Sequence, residues 1–287
     1  MAGLREIQGA IRSIQNTAKV TSAMKMVSSV RLGKMEDRTR SSSSYHDAFE
    51  TLFKRVMAKV GKVEHPLAQQ PTGGKHLFLL LSADRGLCGA YNAHILKRLV
   101  SRVDEEGWEE GEYLVATVGN KGEKLATFKG FSLIDSRGGF STDLPDEDVK
   151  SLLSWLTDGF LRGEFSTVEI LYTKYYSKAK YVPSSLILLP FSTPEEQEED
   201  GCAEWLFEPD AQVLAKTLVP MAVRGMVFRS LQEAMTSEQA SRMMAMTQAT
   251  DNAKDEIKKK KKLFNKLRQE AITSELMDII GGAAAIE

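Results

Sequence analysis

The sequence predicts an α/β head joined to a long antiparallel coiled coil. The head is Rossmann-like and layered, with a parallel or mixed sheet, and the N- and C-terminal helices form the coiled coil. Three observations predict this. In residues 241–287 a seam steps by threes and fours through Met243, Met246, Thr250, Ala253, Ile257, Lys260, Phe264, Leu267, Ala271 and Ser274, which is heptad spacing. A matching stripe runs through Leu4, Ile7, Ile11, Ile14, Ala18 and Thr21 at the other end of the chain. Between them, short apolar runs alternate with helical patterns, the signature of strands and helices stacked in layers.

The elements follow in order. Residues 1–60 read as one helix. Ser41 to Ser44 interrupt its apolar pattern as a solvated stretch, and Tyr45, Phe49, Leu52, Val56 and Val60 resume it. Gly61, Pro66, Pro71, Gly73 and Gly74 mark a linker. The head spans 76–193. A strand at 77–82 leads through a Gly-rich turn into a helix near 93–103. Residues 113–119 read as a strand, 121–128 as a short helix and 131–134 as a weak strand. A helix at 146–161 carries Leu152, Leu153, Leu156 and Phe160 on one face. Strands follow at 167–173 and 185–189. Residues 194–209 hold an acidic loop (Glu195, Glu196, Glu198, Glu199, Asp200) and a Trp205–Pro209 segment. The last helix fills 210–287, with no proline after Pro220.

If both terminal helices leave one head, they run antiparallel and paired positions add to about 270. The C-terminal helix then overshoots its partner by about 20 residues, or ~30 Å at ~1.5 Å per residue. That end carries Ile272, Leu276, Met277, Ile279, Ile280 and Ile286. An apolar patch of this kind needs a sheath from another protein.

Bulk properties exclude several functions. The chain has 287 residues, 42% of them hydrophobic, and a formal charge of -1. No global field draws it to nucleic acid or an anionic membrane. The apolar run 77–81 is far too short to span a bilayer, and the N-terminus lacks a signal-peptide pattern. Two cysteines, Cys88 and Cys202, fit a reducing compartment. Four scattered histidines show no metal-ligand spacing. The expected protein is soluble and intracellular, with no metal, no cofactor and no catalytic residue.

Two motifs invite a chemical reading. Ser82-Ala83-Asp84-Arg85-Gly86-Leu87-Cys88-Gly89 sits where phosphate-binding glycine loops sit, between a strand and a helix. It has no GxGxxG pattern and no Walker lysine, so it reads as a tight turn. Cys88, with His94 two turns on, reads as structural rather than as a nucleophile. Lys258 to Lys262 are five consecutive cations. Each helix residue advances about 100°, so they encircle the helix, and Lys260 is the one facing the seam. Such a run is commonly a solvated face; its place in a coiled coil favours a role toward a partner.

These pieces together resemble one family. Ile11-Arg12-Ser13-Ile14-Gln15-Asn16-Thr17 with Ala23-Met24-Lys25-Met26-Val27 is similar to the N-terminal signature of the gamma subunits of rotary ATP synthases, bacterial type. So are Asp84-Arg85-Gly86-Leu87-Cys88-Gly89, Ala249-Thr250-Asp251-Asn252-Ala253 and Phe264-Asn265-Lys266. Arg268-Gln269, Ile272-Thr273 and Gly282-Ala283-Ala284 complete the likeness, which spans the chain in order. The resemblance implies a central stalk. Its coiled coil is an axle inside a hexamer of alternating alpha and beta nucleotide-binding subunits. Its head is a foot resting with the epsilon subunit on the membrane c-ring, one copy per complex, peripheral on the cytoplasmic face of the cell membrane. No nucleic acid is a partner.

Residue by residue, the resemblance makes Arg268, Gln269 and Thr273 contacts with the catalytic subunits. It makes Met24 and Arg242 axle positions tied to coupling, and places Phe207 and Glu208 in a foot segment near the ring and epsilon. Lys259, Lys260 and Lys262 stand where the family interleaves leucines, and join the expected partner contacts. The regulatory dithiol insertion of chloroplast members is absent. Two other readings compete: a non-enzymatic coiled-coil adaptor with an α/β sensing head, and a dinucleotide-dependent enzyme. The poor glycine fingerprint counts against the enzyme, and the overshooting tip against a free adaptor. Calorimetry on the purified chain is expected to detect neither ATP nor NAD; stoichiometric micromolar binding of either would restore the enzyme reading.

Overall fold

The computed structural model describes residues 2–60, 64–140, 144–192, 208 and 210–284. The chain forms two compact units, Met1–Ser29 with Arg242–Glu287, and Val30–Ser241. Two helices are shared between them: α1 (Ala2–Val60) and α5 (Ala211–Ala284). The backbone of α1 is helical through Ser41 to Ser44 without a break. Pro220 lies inside α5 on an exposed side, where water can take the carbonyl that a proline leaves unpaired.

In the larger unit the remaining elements are β1 (Lys75–Leu81), α2 (Tyr91–Glu106), β2 (Tyr113–Val118), α3 (Asn120–Phe128), β3 (Leu133–Arg137), α4 (Asp146–Leu161), β4 (Phe165–Ser177) and β5 (Lys180–Leu189). They build one mixed sheet in the order β3-β2-β1-β4-β5. The first four strands are parallel and β5 is antiparallel to β4. The central strand β1 is buried on both faces, which is why it reads as a continuous apolar run. Phe78 and Leu80 point to one face and meet Ile95 and Leu99 of α2 and Ala126 of α3. Leu77, Leu79 and Leu81 point to the other and meet Leu152, Leu156 and Phe160 of α4.

That second core also takes Phe53, Val56 and Met57 from α1 and Leu218, Val219, Val223 and Val227 from α5. The units therefore cut across the segments 1–60, 76–193 and 210–287 drawn from the sequence, because residues 30–60 and 211–241 help to cover the sheet. The two last strands are longer than the expected 167–173 and 185–189. They meet in a hairpin at 178–179, which forces them antiparallel. The hairpin was masked by Pro183, which an edge strand tolerates, and by a turn without Asn-Gly.

One ionic network crosses the layers. Glu169 on β4 is almost fully buried and accepts from His76 Nε2 of β1 at 3.0 Å. It also accepts from Arg102 of α2, through Nε at 2.9 Å and a terminal nitrogen at 3.2 Å. Burial alone would raise its pKa; the hydrogen bonds from His76 and Arg102 outweigh that and hold it at about 2. This ties strand to strand and strand to helix; Arg102 also pairs with Glu105 and Glu106 on its own helix, so Glu169 is the one member of the network that is fully buried.

In the smaller unit the starts and ends of the two long helices pair along the expected seam. Leu4, Ile7, Ile11, Ile14, Ala18, Thr21, Met24 and Ser28 are its buried and half-buried positions on α1. On α5 the expected stripe is buried or half-buried at Met243, Met246, Thr250, Ala253, Ile257, Lys260, Phe264, Leu267 and Ala271, whereas Ser274, its last member, is exposed because the register places it beyond the start of α1. Thr21 Oγ1 and Thr250 Oγ1 share a buried hydrogen bond of 2.8 Å across it. Their numbers add to 271, and so do those of Gln232 and Thr39, which bond at 2.7 Å within the larger unit. Both agree with the antiparallel register expected from the two stripes.

A prediction follows from the network. Glu169→Gln is expected to destabilise the protein by about 2–4 kcal/mol at neutral pH, read by urea unfolding. Because the folded-state pKa is depressed, the carboxylate's contribution is present above pH ~4.5 and fades as pH falls toward ~2. The gap between wild type and variant is therefore expected to close over that window. A gap that stays constant with pH contradicts the assignment.

Candidate functional site

The turn from β1 into α2 is built by side chains that bond to backbone. Ser82 Oγ donates to the carbonyls of Val118 and Gly119, at 2.9 and 3.0 Å, and accepts from the Gly122 amide at 2.9 Å. Gly119 allows this approach: its φ is +102°, and a Cβ there would lie 2.3 Å from the Ser82 carbonyl oxygen. Asp84 Oδ1 accepts from the Asn120 amide and side chain and from the Gly139 amide. Asn92 Oδ1 receives the Ala83 amide at 2.9 Å. These polar groups serve the loop itself. The glycine turn is a staple between the ends of β1, β2 and β3.

In open α/β sheets, ligands lie outside the carboxyl ends of the strands, where the strand order reverses. Here that point is the boundary between β1 and β4, and α5 occupies it. Ser237 Oγ donates to the Thr173 carbonyl of β4 at 2.9 Å. Ser241 Oγ donates to the Cys88 carbonyl in the turn at 2.7 Å. Tyr91 Oη, on the first residue of α2, donates to the Ala234 carbonyl of α5 at 3.1 Å and to the Leu81 carbonyl at 3.4 Å. Ser237, Ala240, Ser241, Tyr91 and Cys88 are all buried. Cys88 is buried, and Asn92 Nδ2 sits against its sulfur at 3.2 Å. Cys202 lies outside the described residues.

The β4–β5 hairpin holds α1. Tyr175 Oη donates to Glu36 at 2.6 Å, and Lys178 pairs with the same carboxylate at 3.2 Å. Burial, then the bond to Glu36, raise the Tyr175 pKa, so its hydroxyl is the donor. Tyr172 on β4 is pushed up to about 12, by burial first and the Glu233 carboxylate second.

In the smaller unit the expected contact residues fall into two groups. Met24 is half-buried in the seam and Arg242 is buried at the start of the unit. Arg268, Gln269 and Thr273 are exposed, with the Thr273 hydroxyl turned back to the Gln269 carbonyl at 2.9 Å. Of the five lysines, Lys260 alone is half-buried, as the heptad spacing requires; Lys258, Lys259, Lys261 and Lys262 are exposed. Lys258 pairs with Asp255 and Lys259 approaches Glu256, each three residues back on the same helix. A pair between Lys260 and Glu6, which the register allows, is not among the described ion pairs. Ile272, Leu276, Met277, Ile279 and Ile280 are 55–71% exposed. Glu208 is exposed. Phe207, the acidic loop and most of the 205–209 segment lie outside the described residues.

Sequence reasoning missed Tyr91, Ser237, Ser241, Tyr175 and Glu36. The only trace was the spacing of Ala234, Ser237 and Ser241 by three and four residues, which marks a face that is small and polar rather than apolar. Among the described residues no group of three His, Cys, Asp or Glu side chains is placed to hold a metal ion. Nor is any helix there long and apolar enough to cross a membrane.

A sheet whose ligand crevice is taken by its own helix, and a paired-helix unit ending in uncovered apolar residues, define a subunit of a larger assembly. The family model described as ATP synthase matches residues 3–286. The ATP synthase gamma chain of Moorella thermoacetica is 35% identical over 291 residues, and that of Desulforamulus reducens 32% over 287, each covering 100% of both chains. The Chromobacterium violaceum gamma chain is 36% identical over 290 residues, with the same coverage. The chain belongs to the ATP synthase gamma-chain family. In fold it resembles a chain of the Euglena gracilis mitochondrial ATP synthase (OSCP/F1/c-ring), with TM-score 0.67 and 17% identity over 99% of this chain and 95% of that one. A chain of the Tetrahymena thermophila central stalk and c-ring gives TM-score 0.54 at 21% identity, over 80% of this chain and 99% of that one.

Proposed function

We infer that this chain is the rotating central-stalk subunit of a proton-translocating ATP synthase, itself without catalytic residues. One copy couples rotation of a membrane c-ring to conformational change in an alternating alpha/beta hexamer. The paired helices run inside that hexamer; the sheet-bearing unit meets epsilon and the ring, peripheral on the cytoplasmic face of the membrane. The observation that carries this is the uncovered apolar end of α5 in a member of the gamma-chain family. Such an end is stable in water only when another protein sheathes it. A stalk of this kind works by making different contacts with each conformation of its neighbours, so that its angle selects their state.

Within this reading Arg268, Gln269 and Thr273 contact the catalytic subunits near the tip. Met24 and Arg242 keep the coiled coil in the phase that coupling needs, and Phe207 and Glu208 face epsilon and the ring. Copurification from membranes with the nucleotide-binding subunits tests the assignment; a chain that purifies alone overturns it.

Truncation after Leu267 is expected to leave the coiled coil folded. The α1 helix starts at Ala2, which the register sets opposite residue 269, so the removed part has little intrachain cover. Helicity and melting of the remainder are expected to hold while assembly or torque weakens. Unfolding of the truncated chain alone would overturn the register.

Lys259, Lys260 and Lys262 are expected to act as a brake between stalk and hexamer, with lysine heads reaching carboxylates while their stems lie along the helix. Each exposed pair is worth only ~0–1 kcal/mol, so several must act at one angle. Replacing the three by glutamine is expected to speed ATP hydrolysis with little effect on assembly, and high salt to mimic part of the change. Unchanged hydrolysis and salt response in the variant complex return the run to a solvated helix face.

A further inference from the structure

The crevice at the carboxyl ends of β1 and β4 holds α5 through three hydrogen bonds on one face of the helix. Ala234, Ser237 and Ser241 follow each other by three and four residues, so a single face presents the Ala234 carbonyl and both hydroxyls. Each meets a fixed group of the sheet unit: Tyr91 Oη at 3.1 Å, the Thr173 carbonyl at 2.9 Å and the Cys88 carbonyl at 2.7 Å. Tyr91 and Thr173 are buried, as are both serines, so water does not compete for these bonds. We propose that Tyr91, Ser237 and Ser241 are positioning residues for coupling: they form a keyed socket that fixes the rotational phase of α5 in the sheet unit and bears torque between them.

The argument is one of direction. Apolar packing is non-directional and resists a turn of the helix about its own axis weakly. Hydrogen bonds weaken steeply off their axis. Turning α5 by one residue swings this face about 100° away and breaks all three at once. Small side chains are what allow the contact: a helix presenting leucines here would stand too far off for a serine to reach a strand carbonyl. The other helix is held at the same level. Glu36 of α1 takes Tyr175 and Lys178 of the β4–β5 hairpin, and Gln232 of α5 bonds to Thr39 of α1. The polar ties of both helices thus lie at one level, residues 36–39 and 232–241, above the apolar packing of Phe53 to Met57 and Leu218 to Val227.

The proposal rests on the central-stalk reading, and the test separates the two. The assembled complex is immobilised by its hexamer, with a bead fixed to the sheet unit. The variants are Tyr91→Phe alone and Tyr91→Phe/Ser237→Ala/Ser241→Ala; each removes hydroxyls with almost no change of volume. If the wild-type bead does not rotate with ATP, the stalk reading itself fails. If it rotates, the triple variant is expected to widen the angular variance of the paused bead about twofold, through loss of three directional bonds. In vesicles its proton pumping per ATP hydrolysed is expected to fall, while hydrolysis by the hexamer with stalk stays near wild type. Tyr91→Phe is expected to show a smaller change in the same direction, which keeps the test open if the triple variant fails to assemble. A merely structural role lowers melting temperature and yield but leaves the angular variance and pumping ratio of assembled complexes unchanged; that result overturns the socket.

Discussion

The close approach of α5 to the sheet is the constraint on which the larger unit depends. A helix that presents large side chains is held off by their bulk, too far for serine hydroxyls to reach strand and loop carbonyls. The face carrying Ala234, Ser237, Ala240 and Ser241 removes that bulk. Direct bonds to Thr173 and Cys88 then become possible. The same insertion takes up the crevice where an open α/β sheet would hold a ligand. One geometric choice therefore fills the crevice and ties α5 to the sheet by direct hydrogen bonds.

Rigidity in the sheet follows from a different device. Glu169, His76 and Arg102 join β4, β1 and α2 in a network around one buried carboxylate. Ionic groups this deep rarely add net stability over an apolar packing of the same volume; what they add is a single permitted alignment. Ser82 and Asp84 do the same at the loop end of the sheet, each carboxyl or hydroxyl oxygen serving several backbone donors or acceptors. A body that transmits torque gains from such alignment more than from extra stability.

The paired-helix unit is built on the opposite principle. Its seam mixes Ile, Met, Thr, Ala and a half-buried lysine, with one buried Thr21–Thr250 bond to mark register. Such a seam specifies a position along the helices without heavy apolar burial. The exposed apolar residues from Ile272 to Ile280 leave part of the folding problem to neighbouring chains. In the gamma-chain family, where relatives share about a third of their residues over the whole length, this division suits a part held by others along its surface.

Periodicity and composition determined much of this protein on their own. The two heptad stripes, the inward Lys260 and the bounds of α4 follow from patterns of period 3.5 or 3.6, the buried run of β1 from its unbroken apolar stretch, and the antiparallel register from two stripes that leave one head. The failure of the glycine turn to match a phosphate loop was equally legible. Three matters were decided by tertiary structure. The β4–β5 hairpin exists because two half-polar segments find each other and α1, through Tyr175 and Glu36, which no local pattern encodes. The network of Glu169 unites residues 67 and 93 positions apart, and a charge in a strand says nothing about a partner so distant. The seat of α5 depends on serines that, read locally, are indifferent helix surface; only the carbonyls of Thr173 and Cys88, delivered by other elements, turn them into an attachment. Local periodicity reports which face of an element is buried; which polar group waits on the other side is set by the path of the rest of the chain.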